Sequence, residues 1–125
     1  MLKFLRKIFN KRTDYNKLKK EIAPVPPKFI NALMDSINLN LVDKTQSLLS
    51  DLSSGEIANI IEQLDASDRK KLIFFLGSSI VPEIILELDK DIRKEIISVV
   101  GEHTFLNVVS KLDTDDLIVV LEEVD

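Results

Sequence analysis

Hydrophobic residues in this chain follow a period of twelve. Beginning at Leu52, a large aliphatic residue returns every twelve residues, and each is followed by Ser, Gly or Asp, which cap helices or interrupt them. An apolar pair lies eight and nine positions beyond each of the first six of these residues. The pattern predicts one short, capped helix per repeat. The periodic aliphatic residues are Leu52, Leu64, Leu76, Leu88, Val100, Leu112 and Val124.

The twelve-residue period is incompatible with a single long helix. Twelve residues advance an α-helix by about 3.3 turns, so a continuous helix would rotate its apolar face by about a third of a circle per repeat. Helices broken at each repeat can all turn an apolar face inward. Because such short helices are unstable alone, they must stack on one another. The sequence therefore predicts an all-α, solenoid-like body.

Two further helices are predicted ahead of the repeat. The first runs from Lys28 to about Ser36 and is preceded by Pro27, and the second runs from Asp43 to Leu52 with Asp43 as its cap.

Within the repeat, two aspartate pairs predict helix starts, in which a capping carboxylate precedes a first-turn carboxylate. These pairs are Asp65 with Asp68 and Asp113 with Asp116. Pro82 comes later in its repeat than the other helix starts. Since proline fits best in the first turn, this helix should begin near Val81, after a longer turn, and be shorter than the others.

The chain divides into three predicted segments. Residues 1–22 form a basic leader, 23–28 a proline-rich linker, and 29–125 the helical body. In the leader, Leu2, Leu5, Ile8 and Phe9 have helical spacing and alternate with Lys and Arg. Residues 1–12 could form an amphipathic helix that contacts an anionic membrane surface or a partner, or a loosely packed charged terminus.

Charge is distributed unevenly along the chain. Residues 1–28 contain nine Lys or Arg and two Asp or Glu, a net charge of +7, whereas residues 29–125 contain eight and nineteen, a net charge of −11. An acidic body argues against nucleic acid as a partner and favours cations or a basic protein surface. The chain has no cysteine, which excludes disulfides and thiolate metal sites.

Catalytic chemistry is not indicated. His103 is the single histidine and is predicted to be a structural or surface residue. Nothing resembles a nucleophile motif or a phosphate-binding glycine loop, so we expect no enzyme. The many carboxylates suit solvated helix surfaces and caps, and some could instead ligate Mg²⁺, which prefers oxygen ligands. Spacing alone leaves both possibilities open.

The body resembles the N-terminal intracellular domain of MgtE-type magnesium transporters. The similarity is carried by the segments LSSGEIANIIEQLDASDRKKLIFFL, EIILELDKDIRKEIISVV and KLDTDDLIVVLEEVD, which keep short helices and leucine-aspartate junctions in register. It extends over residues 30–125. The chain departs from the family at Ser53-Ser54, where His-Pro is usual, and in its basic leader and proline linker.

This resemblance implies a right-handed superhelix of short helices. It also implies a regulatory domain on the cytoplasmic side of the plasma membrane, followed in complete members by CBS (cystathionine-β-synthase) domains and a transmembrane pore, within a homodimer. By the same resemblance the sequence is an N-terminal piece of such a protein. Mg²⁺ bound between this domain and the CBS domains would hold the closed state. Carried over by position, the metal ligands would be Glu83, Asp115 and Asp116.

Two other hypotheses about the function of the chain remain open from the sequence. Similar short-helix repeats occur in the flagellar motor switch protein FliG, where they bind protein partners without metal. Its Glu-His-Pro-Gln signature is replaced here by Ser53-Ser54-Gly55-Glu56. The second alternative is a helical scaffold that binds a partner through its basic leader.

Overall fold

The structure, a computed structural model, describes residues 24–124. These residues form eight α-helices and no strand, which confirms the all-α class. The predicted leader helix lies outside the described residues. The helices are α1 (Pro27–Asn38), α2 (Val42–Ser50), α3 (Ser54–Gln63), α4 (Ala66–Leu76), α5 (Pro82–Glu87), α6 (Lys90–Val100), α7 (Glu102–Val109) and α8 (Thr114–Val124).

The repeat helices pack on their next-but-one neighbours. One row contains α3, α5 and α7, and a second row contains α4, α6 and α8. Helix α1 packs on α2 and α4, ahead of the repeat. Stacking of this kind lets each short helix bury an apolar face that it could not bury alone. The arrangement is consistent with the predicted superhelix.

The core is built from the apolar pairs of the repeat. In the first three repeats both members of the pair are buried, and Ile60, Ile61, Ile73 and Ile85 are 0% exposed. The pattern weakens at the last pair, where Val120 is fully buried and Leu121 is 39% exposed. The period therefore marks the core-facing positions directly.

Several helix starts agree with the sequence. Ser53 and Glu56 form a capping box at the start of α3, and the Asp65 carboxylate accepts a hydrogen bond of 2.9 Å from the Asp68 amide at the start of α4. A 3₁₀ turn at Gly77–Ser79 follows α4, and α5 has only six residues beginning at Pro82. The late, short helix predicted around this proline is confirmed.

Two predicted helix starts were wrong, and α2 ends at Ser50 rather than at Leu52. Pro27 is the first residue of α1 and does not precede it, because the missing amide of proline costs nothing in a first turn. Asp43 does not cap α2, which begins at Val42 with Leu41 at the N-cap position. Asn40, with a φ of 58°, turns the chain sharply enough to start α2 one residue early. The Asp43 carboxylate still lies in the first turn, where the helix dipole favours it.

The segment before α1 is attached to α3. The Val25 amide donates a 2.9 Å hydrogen bond to Asn59 Oδ1, and Gln63 Nε2 donates to the Val25 carbonyl at 3.3 Å. The Val25 side chain is itself buried. The segment around Val25 therefore lies against the second half of α3.

Candidate cation-sensing surface

Glu83 lies in the first turn of α5, directly after Pro82. Its side chain is exposed, and a carboxylate in a first turn is stabilised by the positive end of the helix dipole. The position thus presents an accessible negative charge on the α3, α5 and α7 row of the body.

Asp115 and Asp116 lie in the first turn of α8 and have different environments. Asp115 is half-buried, whereas Asp116 is only 5% exposed. A hydrated cation could reach the first carboxylate more easily than the second. Both belong to the row formed by α4, α6 and α8.

The three predicted ligands do not form a metal site by themselves. Among the described residues, no group of three or more His, Cys, Asp or Glu side chains could hold a metal ion. Mg²⁺ commonly keeps several waters and takes only one or two protein carboxylates. Glu83 and Asp115 lie on different helix rows, and Asp116 is the most buried of the three carboxylates.

Sequence reasoning missed an unusual carboxyl group at the end of α5. Burial raises the pKa of Glu87 to about 7, well above its usual 4.5. The Glu87 carboxylate lies against Gly55 in α3, where a Cβ atom would come within 3.2 Å of Glu87 Oε2. The missing side chain at Gly55 admits the carboxylate between two packed helices. No spacing in the sequence signals this pairing.

Sequence reasoning also missed two arginines that join consecutive helices. Arg69 in α4 donates through Nε to the Ile61 carbonyl at 2.9 Å and through a terminal nitrogen to the Leu64 carbonyl at 3.0 Å. Its other terminal nitrogen contacts both carboxylate oxygens of Glu95 in α6, at 2.8 and 2.9 Å. Arg69 thereby satisfies carbonyls at the end of α3, which lack partners within the helix.

Arg93 repeats this arrangement two repeats later. Its Nε donates to the Ile85 carbonyl and a terminal nitrogen to the Leu86 carbonyl, both at 2.8 Å. The side chain is only 6% exposed. Both arginines occupy the fourth position after an aspartate that precedes a helix, an offset that is visible in the sequence but does not by itself indicate their role.

The single histidine agrees with its predicted surface role. His103 is exposed in the first half of α7, and its Nε2 lies 3.5 Å from Nδ2 of Asn107, one turn further on. Within the described part of the chain, no helix is long and apolar enough to cross a membrane.

The structure thus defines an all-helical repeat domain with carboxylates at its helix starts. The sequence profile of the MgtE intracellular N domain matches residues 52–125, which is more than half of the chain. The chain belongs to this family of intracellular domains of MgtE magnesium transporters. Neither the curated proteins nor the solved structures include a significant match to the chain.

Proposed function

We propose that this chain is the regulatory domain of a magnesium transporter and senses Mg²⁺ inside the cell. Its membership of the MgtE intracellular N domain family carries the proposal. The net charge of −11 on residues 29–125 supports it, because an acidic surface responds strongly to a divalent cation. The domain would act at the cytoplasmic face of the plasma membrane, in a homodimeric transporter.

The sensing surface would combine Glu83 and Asp115 with carboxylates of the CBS domains. With Mg²⁺ bound, the acidic surfaces are held together and the pore is closed. Without it, they repel one another and the pore opens. Two unit charges about 4 Å apart interact by about 4 kcal/mol at an effective dielectric constant of about 20, so a few carboxylate pairs can shift a conformational equilibrium.

The first experiment measures Mg²⁺ binding to this chain by NMR. We expect weak binding, with shifts centred on Glu83 and Asp115, and stronger binding when the CBS domains of the same transporter are present. Glu83→Gln and Asp115→Asn should each reduce the shifts. Glu102→Gln, which removes an exposed carboxylate from the first turn of α7, serves as the matched control. Equal affinities with and without the CBS domains would contradict a shared site.

The second experiment measures transport by the full-length protein. Glu83→Gln combined with Asp115→Asn should require more Mg²⁺ to close the pore than the wild type does. Closure at the wild-type concentration would show that these two carboxylates do not sense the ion.

A further inference from the structure

An apolar groove opens at one end of the body, beside the α1–α2 turn. It has a volume of about 530 Å³ and lies between the end of α1, the start of α2 and the second half of α4. Its lining includes Phe74, 78% exposed, Val42, 50% exposed, and Leu41, 44% exposed. We name this surface the Phe74 groove. A concave, partly apolar surface of this volume is a candidate binding site.

We propose that the basic leader, residues 1–12, binds in the Phe74 groove. The leader carries Leu2, Leu5, Ile8 and Phe9 at helical spacing, so a helix formed there presents one apolar face. An amphipathic helix in an apolar groove is a recurring mode of recognition. The occupant is a segment of the same chain that lies outside the described residues.

The length of the connection permits this contact. The chain leaves the body beside α3, where Val25 bonds to Asn59 and Gln63, and the groove lies at the other end of α1. The twelve residues of α1 span about 18 Å at 1.5 Å per residue. The eleven residues 13–23 reach about 36 Å when extended. Residues 1–12 can therefore return to the groove with length to spare.

Charge favours the same occupant. Residues 1–28 carry +7 and residues 29–125 carry −11, so the leader is attracted to the body as a whole. Among the residues that the structure describes, Lys71 is the one cation that lines the groove. It lies 4.0 Å from a carboxylate oxygen of Asp68 and donates to Asn38 Oδ1 at 3.1 Å. Its charge is thus partly compensated and opposes a basic segment only weakly.

The location of the groove also supports an occupant specific to this chain. Leu41 and Val42 precede residue 52, where the match to the family begins, as does the whole leader. Part of the groove and all of its proposed occupant therefore lie in the part of the chain that the family profile does not match.

A tryptophan reporter in the 125-residue chain tests the contact. The sequence contains no tryptophan, so Phe74→Trp provides a single fluorophore in the groove. We expect blue-shifted emission in this variant and a red shift when Leu5→Asp and Ile8→Asp are added. Lys7→Asp changes the net charge by the same two units on the helix face opposite the four apolar positions and should leave the emission unchanged. A reporter on α7, Leu106→Trp, should respond to neither change.

A spin label gives an independent measurement that does not alter the groove. The chain has no cysteine, so Asn10→Cys provides a single attachment site. The amide signals of Val42 and Phe74 should lose most of their intensity, while that of Leu106 should not. Circular dichroism on every variant checks that the fold is retained.

Three results would overturn the proposal. The first is equal Phe74→Trp emission with and without the leader substitutions, together with unchanged Val42 and Phe74 amide signals in the spin-labelled chain. The second is a blue shift that depends on protein concentration and survives Leu5→Asp with Ile8→Asp, which would assign the groove to a second copy of the chain. The third is a blue shift seen only with phosphatidylglycerol vesicles, which would show that the groove binds a membrane surface.

Discussion

Replacing Arg93 by alanine should strongly destabilise the body. The side chain is 6% exposed and donates two 2.8 Å hydrogen bonds to carbonyls at the end of α5, a helix of only six residues. Ile85, whose carbonyl accepts one of them, is fully buried, so water cannot readily replace the arginine. Leaving a buried polar group unsatisfied costs about 1–3 kcal/mol. We expect a total loss of about 3 kcal/mol for Arg93→Ala.

Thermal and urea unfolding, followed by circular dichroism, measure this loss. For a body of about 100 residues, a loss of 3 kcal/mol corresponds to a fall in Tm of roughly 10–20 °C. Lys94→Ala, at the exposed neighbouring position, should change stability by less than about 0.5 kcal/mol. Arg93→Met keeps most of the buried stem and should recover only part of the loss, since the two carbonyls still lack their donors. A methionine variant as stable as the wild type would refute the reasoning.

Three further predictions concern the Glu87 carboxyl group, the backbone at Gly101 and the two aspartates in the first turn of α8. The folded pKa of Glu87, about 7, exceeds its usual 4.5, so this group's contribution to stability is complete below about pH 4.5 and is lost as the pH rises to about 7. In urea titrations, Glu87→Gln should flatten this decline and raise the free energy of unfolding by about 1 kcal/mol above pH 7, after allowance for partial solvent screening. An unchanged pH profile would show that Glu87 does not cause the decline. Gly101→Ala should cost about 1–3 kcal/mol in the same assay, because Gly101 has a φ of 91°, whereas Ser98→Ala, at an exposed position within α6, should change stability little; equal effects would contradict the backbone argument. Asp116→Asn should lower Tm by several degrees, because Asp116 is buried, and Asp115→Asn should not. A larger fall in Tm for Asp115→Asn would contradict this argument from burial.

The sequence predicted the helices well because one physical requirement acts in every repeat. A helix of about ten residues must bury an apolar face and end where the next helix begins, so both the core positions and the breaks recur every twelve residues. Residues at these positions, such as Ile60 and Ile61, could be assigned to the core without coordinates. The prediction failed at Asp43, where no repeat constrains the register and the conformation of Asn40 moves the start of α2.

The buried polar groups could not be predicted in the same way. Whether Arg93 is buried depends on which carbonyls lack a donor after α5 and α6 have packed, and whether Glu87 is desolvated depends on the space left by Gly55. Both depend on contacts between helices that no local pattern encodes. The shared offset of Arg69 and Arg93 from a preceding aspartate is a usable signal only once their role at the ends of α3 and α5 is known.

The sequence repeat and the burial of each side chain bear on which α8 aspartate suits the proposed sensing role. Asp116 lies three residues after Asp113, the residue before α8, and this is the offset at which Glu56 follows Ser53 and Asp68 follows Asp65. This offset, together with the burial of Asp116, favours a role for that carboxylate at the start of α8. Asp115 occupies the preceding position and is half-buried; the corresponding residues are Gly55, Ser67 and the acidic Asp91 in the repeats that begin at Ser53, Asp65 and Asp89. A sensing role therefore fits Asp115 better than Asp116, because a ligand shared with another domain must keep its carboxylate available at the surface.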